Sequence, residues 1–472
     1  MESAREWAEV EFGKIEIKDK RRRQRLIEIG AAAAICPAGT VTRVCASSAA
    51  REGAFRFLEN GAISPEAVAR APQRATLERC ASEKTVVVAV DQTALTITDR
   101  LQSKGLGPVS ALGKKARGVH VMSALAVTES ATTLGLCSQN MWVRRKRSVH
   151  GDRHVQGRAS ETDHWIDTLQ KTRDAFRQHA PATRPWFQLD RGGDCWQVLH
   201  LATTQDLLLT VRATHDRRLD DPAIRYLWET LARAPVVEQR RIELAPRLPL
   251  QTRRRIGKRR RVVVEIRRDE RRTAKVEIRA AEVALRLTVN ASTKEAVTLR
   301  AVLVRERRRR ADAIEWMLLT THPIDSRRDI ARVVDTYCLR WRIEEFHRVW
   351  KRGLCRVEQT QLRSRDAIFK WATILATVAT RALRLTQLAR TAPDSLASSE
   401  FSAVEIEALL ALRRPKAEPD LTTLTLAQAV RWIADLGGYV GSSNGPPGAT
   451  VIGRGLHDVL VTARAFEYRK LR

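Results

Sequence analysis

Several absences place this chain before any motif does. It has no Cys-x-x-Cys or Cys/His zinc pattern, and its seven cysteines (Cys36, Cys45, Cys80, Cys137, Cys195, Cys338 and Cys355) are scattered. An odd number suits no disulfide framework, so reduced thiols in a cytosol are expected. The roughly 18 uncharged apolar residues of a membrane span run together nowhere. The amino terminus, MESAREWAEVEF, has no apolar signal core, so neither export by the usual route nor a membrane span is expected. Repeats and coiled-coil heptads are missing. The stretch LGGYVGSSNGPPGAT near the end follows no strand and has no Gly-Lys-Ser/Thr ending, so it reads as a loop rather than a nucleotide-binding site.

Negative charge is also short. Against 84 Lys and Arg stand 54 Asp and Glu, a formal charge of +30. The excess is mostly Arg, whose planar fork suits phosphate, and a polyanionic partner is the default expectation. With 472 residues, 43% of them hydrophobic, the chain has material for about two to four folded domains rather than a disordered basic tail.

The first 65 residues read as short helices over 2–12, 20–36 and 47–59. KDKRRRQRL and REGAFRFLEN set arginines beside apolar anchors there, as a DNA-docking domain would, or as any basic solvated surface would. From Lys84 the period changes. TVVVAV is a β-branched run for a strand buried on both faces, predicted to end at Asp91. Strands follow from Gly118 and Thr133, then a helix over 163–179, then PWFQL leading into Asp190. After LLLTVR, ending at Arg212, about 100 residues alternate apolar and basic positions, predicting an inserted antiparallel layer with Arg and Lys on one face. Its basic runs span 253–255, 258–261, 267–272 and 305–310. IEWMLLTTH gives one more strand. An apolar helix over 366–390, the link TAPDSLASSE and a last helical region close the chain.

Tyr337 to Lys351, YCLRWRIEEFHRVWK, carries the most chemistry. On a single helix Tyr337, Arg340, Glu344 and Lys351 fall within an arc about 60° wide. A carboxylate flanked by a phenol, a guanidinium and an ammonium can hold a metal ion while the cations grip a phosphate. An amphipathic helix with a charged solvent face is the plain alternative, as turn formation is for each strand-end aspartate. Glu345, about 100° round from Glu344, is off the stripe. Trp341, at about +40° from Tyr337, is expected to pack beside the site. Two aspartates at strand ends and a glutamate on a later helix constitute the ribonuclease H-like arrangement for two-metal phosphoryl transfer, and their hard oxygens suit Mg²⁺ or Mn²⁺.

The Tyr-x2-Arg-x3-Glu-x6-Lys pattern of Tyr337, Arg340, Glu344 and Lys351, within YxxRWRIEEFHRxWKxG, resembles the signature of DDE transposases of the insertion-sequence-four group. KDKRRRQRL, REGAFRFLEN, VDQT, LDRGGD, EWMLLT and LGGY extend the resemblance over nearly the whole chain. It implies an α/β protein. Residues 1–65 would be a helical DNA-end-binding domain and 66–390 a ribonuclease H-like catalytic domain with a β insertion at about 213–313. Residues 391–472 would be a helical dimerisation domain. It implies Asp91, Asp190 and Glu344 as catalytic ligands of two Mg²⁺ ions per site, with Mn²⁺ as substitute. Tyr337, Arg340 and Lys351 would hold a phosphate beside a flipped base, Trp316 would stack that base and Arg212 would contact the DNA hairpin. Without the resemblance Trp316 is an ordinary strand core residue. Arg21, Arg22, Arg25 and Arg56 fall where the family contacts its terminal inverted repeats. Ile35, Cys36 and His164 depart from family DNA contacts. The implied activity is cut-and-paste transposition by a homodimer on double-stranded DNA, at a bacterial nucleoid in the cytoplasm and not at a membrane. A catalytically silent DNA-binding relative, acting as inhibitor or architectural protein, and a structure-specific nuclease are the alternatives.

Overall fold

The computed structural model describes residues 4–109, 116–144, 160–220, 225–244, 250–256, 261–267, 272–288, 294–308, 313–414, 423–441 and 445–470. The chain forms two compact units: residues 1–189 with 338–472, and residues 190–337. The basic positions 258–260, 268–271, 309 and 310 lie outside the described residues.

The first unit opens with helices α1 (Ala4–Phe12), α2 (Lys20–Ile35), α3 (Val41–Val44), α4 (Ser48–Leu58) and α5 (Pro65–Cys80). Their starts are chemically marked. Asp19 caps α2 by accepting from the amides of Arg21 and Arg22, Ser47 caps α4, and Ser64 with Pro65 begins α5. Then come β1 (Thr85–Thr96), the two-residue β2 (Gly107–Pro108), β3 (Arg117–Val127), β4 (Thr133–Trp142), α6 (Glu161–His179) and β5 (Arg184–Leu189). Ser160 and Asp163 form a reciprocal capping box at the start of α6.

β1 is central, antiparallel to β3 and parallel to β5, and β3 also pairs with β4. The strand runs through Asp91 instead of ending there. The parallel pairing stops at Val90 opposite Leu189, whereas the antiparallel pairing continues to Thr96 opposite Gly118. Asp91 is therefore the first residue of β1 beyond its parallel partner, and Asp190 is the first after β5. Residues 86–90 of β1 are buried, but Asp91 to Ala94 are only partly so.

The second unit contains α7 (Trp196–Thr204), β6 (Leu208–Arg212), α8 (Leu227–Arg233), β7 (Val236–Leu244), β8 (Leu250–Ile256), β9 (Arg261–Arg267), β10 (Arg272–Thr288), β11 (Lys294–Glu306), β12 (Glu315–Thr320) and most of α9 (Arg327–Leu339). Its strands are antiparallel in the order β6-β12-β11-β10-β7, with β8 and β9 paired apart. The inserted layer is thus antiparallel, as the alternation predicts, with α8 as an unpredicted addition. Buried Ile278 of β10 faces Val304 of β11 on one side of the sheet, whereas buried Val283 and Leu285 face Leu299 and Val297 on the other.

The chain returns to the first unit with α10 (Arg342–Lys351), α11 (Arg365–Thr391), α12 (Ala403–Arg413), α13 (Leu426–Leu436) and α14 (Ala449–Lys470). α11 is buried along most of its length and ties the amino-terminal helices to the rest of the unit. Trp371 Nε1 donates to the Gly39 carbonyl at 2.8 Å, Lys370 Nζ to the Asn60 carbonyl at 2.9 Å, and Ser364 Oγ to Glu59 at 2.7 Å. Between α13 and α14, described residues 437–441 and 445–448 are free of helix and strand, which agrees with the loop reading. Residues 442–444 of that stretch lie outside the description. No helix among the described residues is long and apolar enough to cross a membrane.

Candidate active site and DNA-contacting residues

The predicted single helix from Tyr337 to Lys351 is interrupted. α9 ends at Leu339 and α10 begins at Arg342, with Trp341 at φ −59°, ψ −19°. The amides of Ile343 and Glu344 bond back to the carbonyls of Arg340 and Trp341, a tightened i→i+3 turn. Tyr337 therefore belongs to α9, and its angle to Glu344 is not that of one continuous helix. Trp341 caps α10 and is exposed, correcting its expected role as packing.

Within the first unit α10 lies along β1. Lys351 Nζ donates to Thr93 Oγ1 at 3.1 Å and stands 3.9 Å from Glu358. Glu358 in turn accepts from the Thr96 amide at 2.9 Å. One turn back on α10, His347 Nδ1 is 3.6 Å from Asp91 Oδ2. Glu344 accepts from Arg340 Nη2 at 2.7 Å, whereas Glu345 is engaged by Arg342 at 2.8 Å. Thus each neighbouring carboxylate has its own arginine, and the two point to different partners. Burial pulls the Lys351 ammonium pKa down, with Glu358 partly offsetting it.

In the second unit Asp190 and Asp194 of LDRGGD have separate tasks. Asp194 is buried and accepts from the amides of Thr214 and His215 while pairing with Arg217, so it fixes the loop after β6. Asp190 is partly exposed and accepts from the Gly192 amide at 2.8 Å, leaving carboxylate capacity for another ligand. Trp316 of β12 is half-buried rather than core. Its ring meets Tyr337 edge-on at 5.5 Å and 63°. Arg212, paired across strands with Leu318, donates to the Glu315 carbonyl at 2.9 Å. A guanidinium, an indole and a phenol therefore stand around one end of β12.

The amino-terminal arginines lie on α2 and α4. Lys20 to Arg23 fill the first turn of α2, where the helix dipole disfavours cations; the Asp19 cap offsets part of that charge, and the remainder favours an external anion. Arg22 pairs with Asp19, Arg25 with Glu28 and Arg56 with Glu52. Arg21 is exposed. Of the departures, the Ile35 carbonyl faces His457 Nδ1 at 2.6 Å, Cys36 ends α2, and His164 stacks on Trp142 at 3.8 Å. All seven cysteines are unbridged.

As to metal, Asp91 and Glu344 offer hard oxygen donors from β1 and α10, the chemistry that suits Mg²⁺ or Mn²⁺. Among the described residues no three His, Cys, Asp or Glu side chains converge as a metal cluster; Arg340 holds Glu344 in their place. The donor types fit a divalent cation. His347 and Thr93 were not singled out by the sequence. His347 sits at about 280° from Tyr337 on a continuous helix, just outside the 60° arc, and Thr93 sits within VDQT.

Two family models match the chain. One describes transposase DNA-binding domains and covers residues 4–63; the other describes the transposase DDE domain and covers residues 199–381. The second match includes Arg212, Trp316, Tyr337, Arg340, Glu344 and Lys351, and begins after Asp91 and Asp190.

Proposed function

The chain belongs to the DDE transposases, and from that premise we propose that it cuts a mobile element from double-stranded DNA and pastes it elsewhere, using Asp91, Asp190 and Glu344 as the metal-binding carboxylates. The observation that carries this reading is the seating of α10 on β1, which sets the helix bearing Glu344 against the strand bearing Asp91. Asp190 joins them in the proposal because it follows Leu189, the last β5 residue paired with β1. DDE domains use divalent metal ions; two bound Mg²⁺ ions would activate the attacking oxygen and stabilise the leaving one.

The chain's own residues supply the rest. Arg340 neutralises Glu344 in the free protein and is released to a phosphate as the carboxylate takes up its role. Lys351, held by Thr93 and Glu358, presents a second cation, on the helix that carries Glu344. Trp316 and Tyr337 form an aromatic platform beside Arg212, suited to a base extruded at a tight DNA hairpin. Such stacking is worth about 1–3 kcal/mol per base, comparable with the cost of unstacking. The arginines of α2 and α4 would grip the element's ends. The resemblance to the insertion-sequence-four group supports hairpin formation and a homodimeric complex, paired through residues 391–472, with 1–65 and 66–390 as end-binding and catalytic domains. It also supports action at the nucleoid.

The test uses the full-length protein, Mg²⁺ and labelled duplexes ending in the inverted repeats that flank the reading frame. Nicked, hairpin and double-strand-cut products, followed by capture of the 3′-hydroxyl end in a target plasmid, are expected. Binding without cleavage would identify a silent DNA-binding relative. Cleavage without capture would identify a nuclease.

A further inference from the structure

His347 is buried on α10 one turn after Glu344 and one turn before Lys351. Its Nδ1 faces Asp91 Oδ2 at 3.6 Å, and its Nε2 is shut away from solvent with no hydrogen-bond partner. The approach is built into the register of the two elements. From Asp91 to Thr93 is two strand residues, about 6.7 Å; from His347 to Lys351 is four helix residues, about 6.0 Å. The Lys351–Thr93 hydrogen bond at 3.1 Å therefore fixes the next rung of the same ladder.

A neutral imidazole ring carries one N–H. On Nε2 that proton would be a buried donor without an acceptor; on Nδ1 it points at a carboxylate and leaves only a bare lone pair behind.

We propose that His347 is a positioning residue for Asp91: its Nδ1–H is donated to Oδ2, turning the carboxylate so that its other oxygen is presented to the divalent cation. This rests on Asp91 being a metal ligand. The present 3.6 Å is longer than a hydrogen bond, and closing it takes a small rotation of the Asp91 side chain, as contacts in active sites tighten when the working complex forms. Partners of this kind, one step behind a metal ligand, typically change metal affinity by about 10- to 100-fold.

Full-length His347→Leu, His347→Asn and His347→Gln would be compared for Mn²⁺ binding without DNA, read from the free-ion electron paramagnetic resonance signal. The Mg²⁺ dependence of end nicking would be measured alongside. His347→Leu is expected to weaken Mn²⁺ binding about 10- to 100-fold and to raise half-saturating Mg²⁺, with a much smaller loss at saturating Mg²⁺ and unchanged end binding. His347→Asn places an amide N–H close to the Nδ1 position and should recover most of the affinity; His347→Gln, which reaches the Nε2 position, should recover less. Parental Mn²⁺ affinity in His347→Leu overturns the proposal. So does an Asn variant no better than Leu, with both slow at saturating metal. If His347→Leu melts early without metal, the Asn–Gln comparison alone decides. Asp91→Ala separates the two layers: if it keeps Mn²⁺ affinity and cleavage, the ligand assignment fails and takes this role with it. If it loses both while His347→Leu does not, only the role of His347 falls.

Discussion

Replacing Gly53 by alanine should steady a helix and weaken DNA binding in the same molecule. Gly53 lies within α4, and a methyl group there would stand 2.7 Å from Cζ of Arg25 on α2. The obstruction is the far end of a flexible side chain, so the guanidinium swings aside and the backbone stays. Alanine within a helix is favoured over glycine by about 1 kcal/mol. Arg25 gives up its seat and its 2.8 Å pair with Glu28, a half-exposed pair worth roughly 0–1 kcal/mol. Folding free energy should thus change by about 0 to +1 kcal/mol. If Arg25 reaches a DNA phosphate from that seat, its displacement removes one counterion-releasing contact. The slope of log K against log salt then becomes shallower by about 0.9, and at 0.1 M salt affinity falls about eightfold. Anisotropy titrations of an end duplex between about 50 and 200 mM salt, with thermal melting alongside, read both effects. Arg25→Ala should lose the same affinity without the gain in α4. Unchanged affinity and slope in Gly53→Ala would refute the phosphate contact. A clearly earlier melt would refute the free swing of the side chain.

Asp91→Ala, Asp190→Ala and Glu344→Ala should each abolish strand cleavage while end binding survives, whereas Glu345→Ala, which only frees Arg342, should be mild. The reverse order for Glu344 and Glu345 on a cleavage gel would overturn the assignment. Trp316→Ala should still make the first nick but accumulate nicked DNA and little hairpin, and pre-cut ends should restore much of the strand transfer; hairpins at the parental rate would remove the stacking role. Gly455→Ala puts a methyl group into the Ile433 carbonyl oxygen where α14 crosses α13, and overpacking of this kind costs about 1–3 kcal/mol. Hydrogen exchange in 426–470 should quicken while the exchange of β1 stays as it was; uniform protection would show that the helices shift apart without cost.

The strands of the first unit were legible because their runs are apolar and rich in β-branched or aromatic residues: TVVVAV, GVHVMSALAV and PWFQL all became strands. Asp91 was misplaced at a strand end because an apolar run reports burial on both faces, and that burial stops at Val90, where the parallel partner stops. The antiparallel partner β3 carries the strand six residues past Val90, to Thr96, which no local signal announces. The break before α10 was equally hidden, since two residues tightened into an i→i+3 turn need neither Gly nor Pro. α5 could have been found from Ser64-Pro65-Glu66, a cap with proline at the first helical position. Short α7 and α8 carry less periodicity to read. Glu344 and Lys351 were visible as spacing on one helix, whereas the roles of Thr93 and His347 depend on a pairing of strand and helix 258 residues apart in sequence, and only the fold supplies that neighbour.

The order of the chain also sets a timetable. β1 and its strand partners are complete at Leu189, yet Val87, Ala89 and Leu95 share their apolar cluster with Ile343, Phe346 and residues of α11. Those residues follow only after the roughly 150 residues of the second unit have been synthesised, a wait of roughly 7–30 s at ordinary translation rates. During that interval the ribosome-bound chain holds a finished sheet with part of one apolar face uncovered, a surface for chaperones to hold and for neighbouring nascent chains to seize. Glu344 and the helix that covers this face arrive together, so the same docking event that ends the exposure also brings in the last of the proposed metal-binding carboxylates.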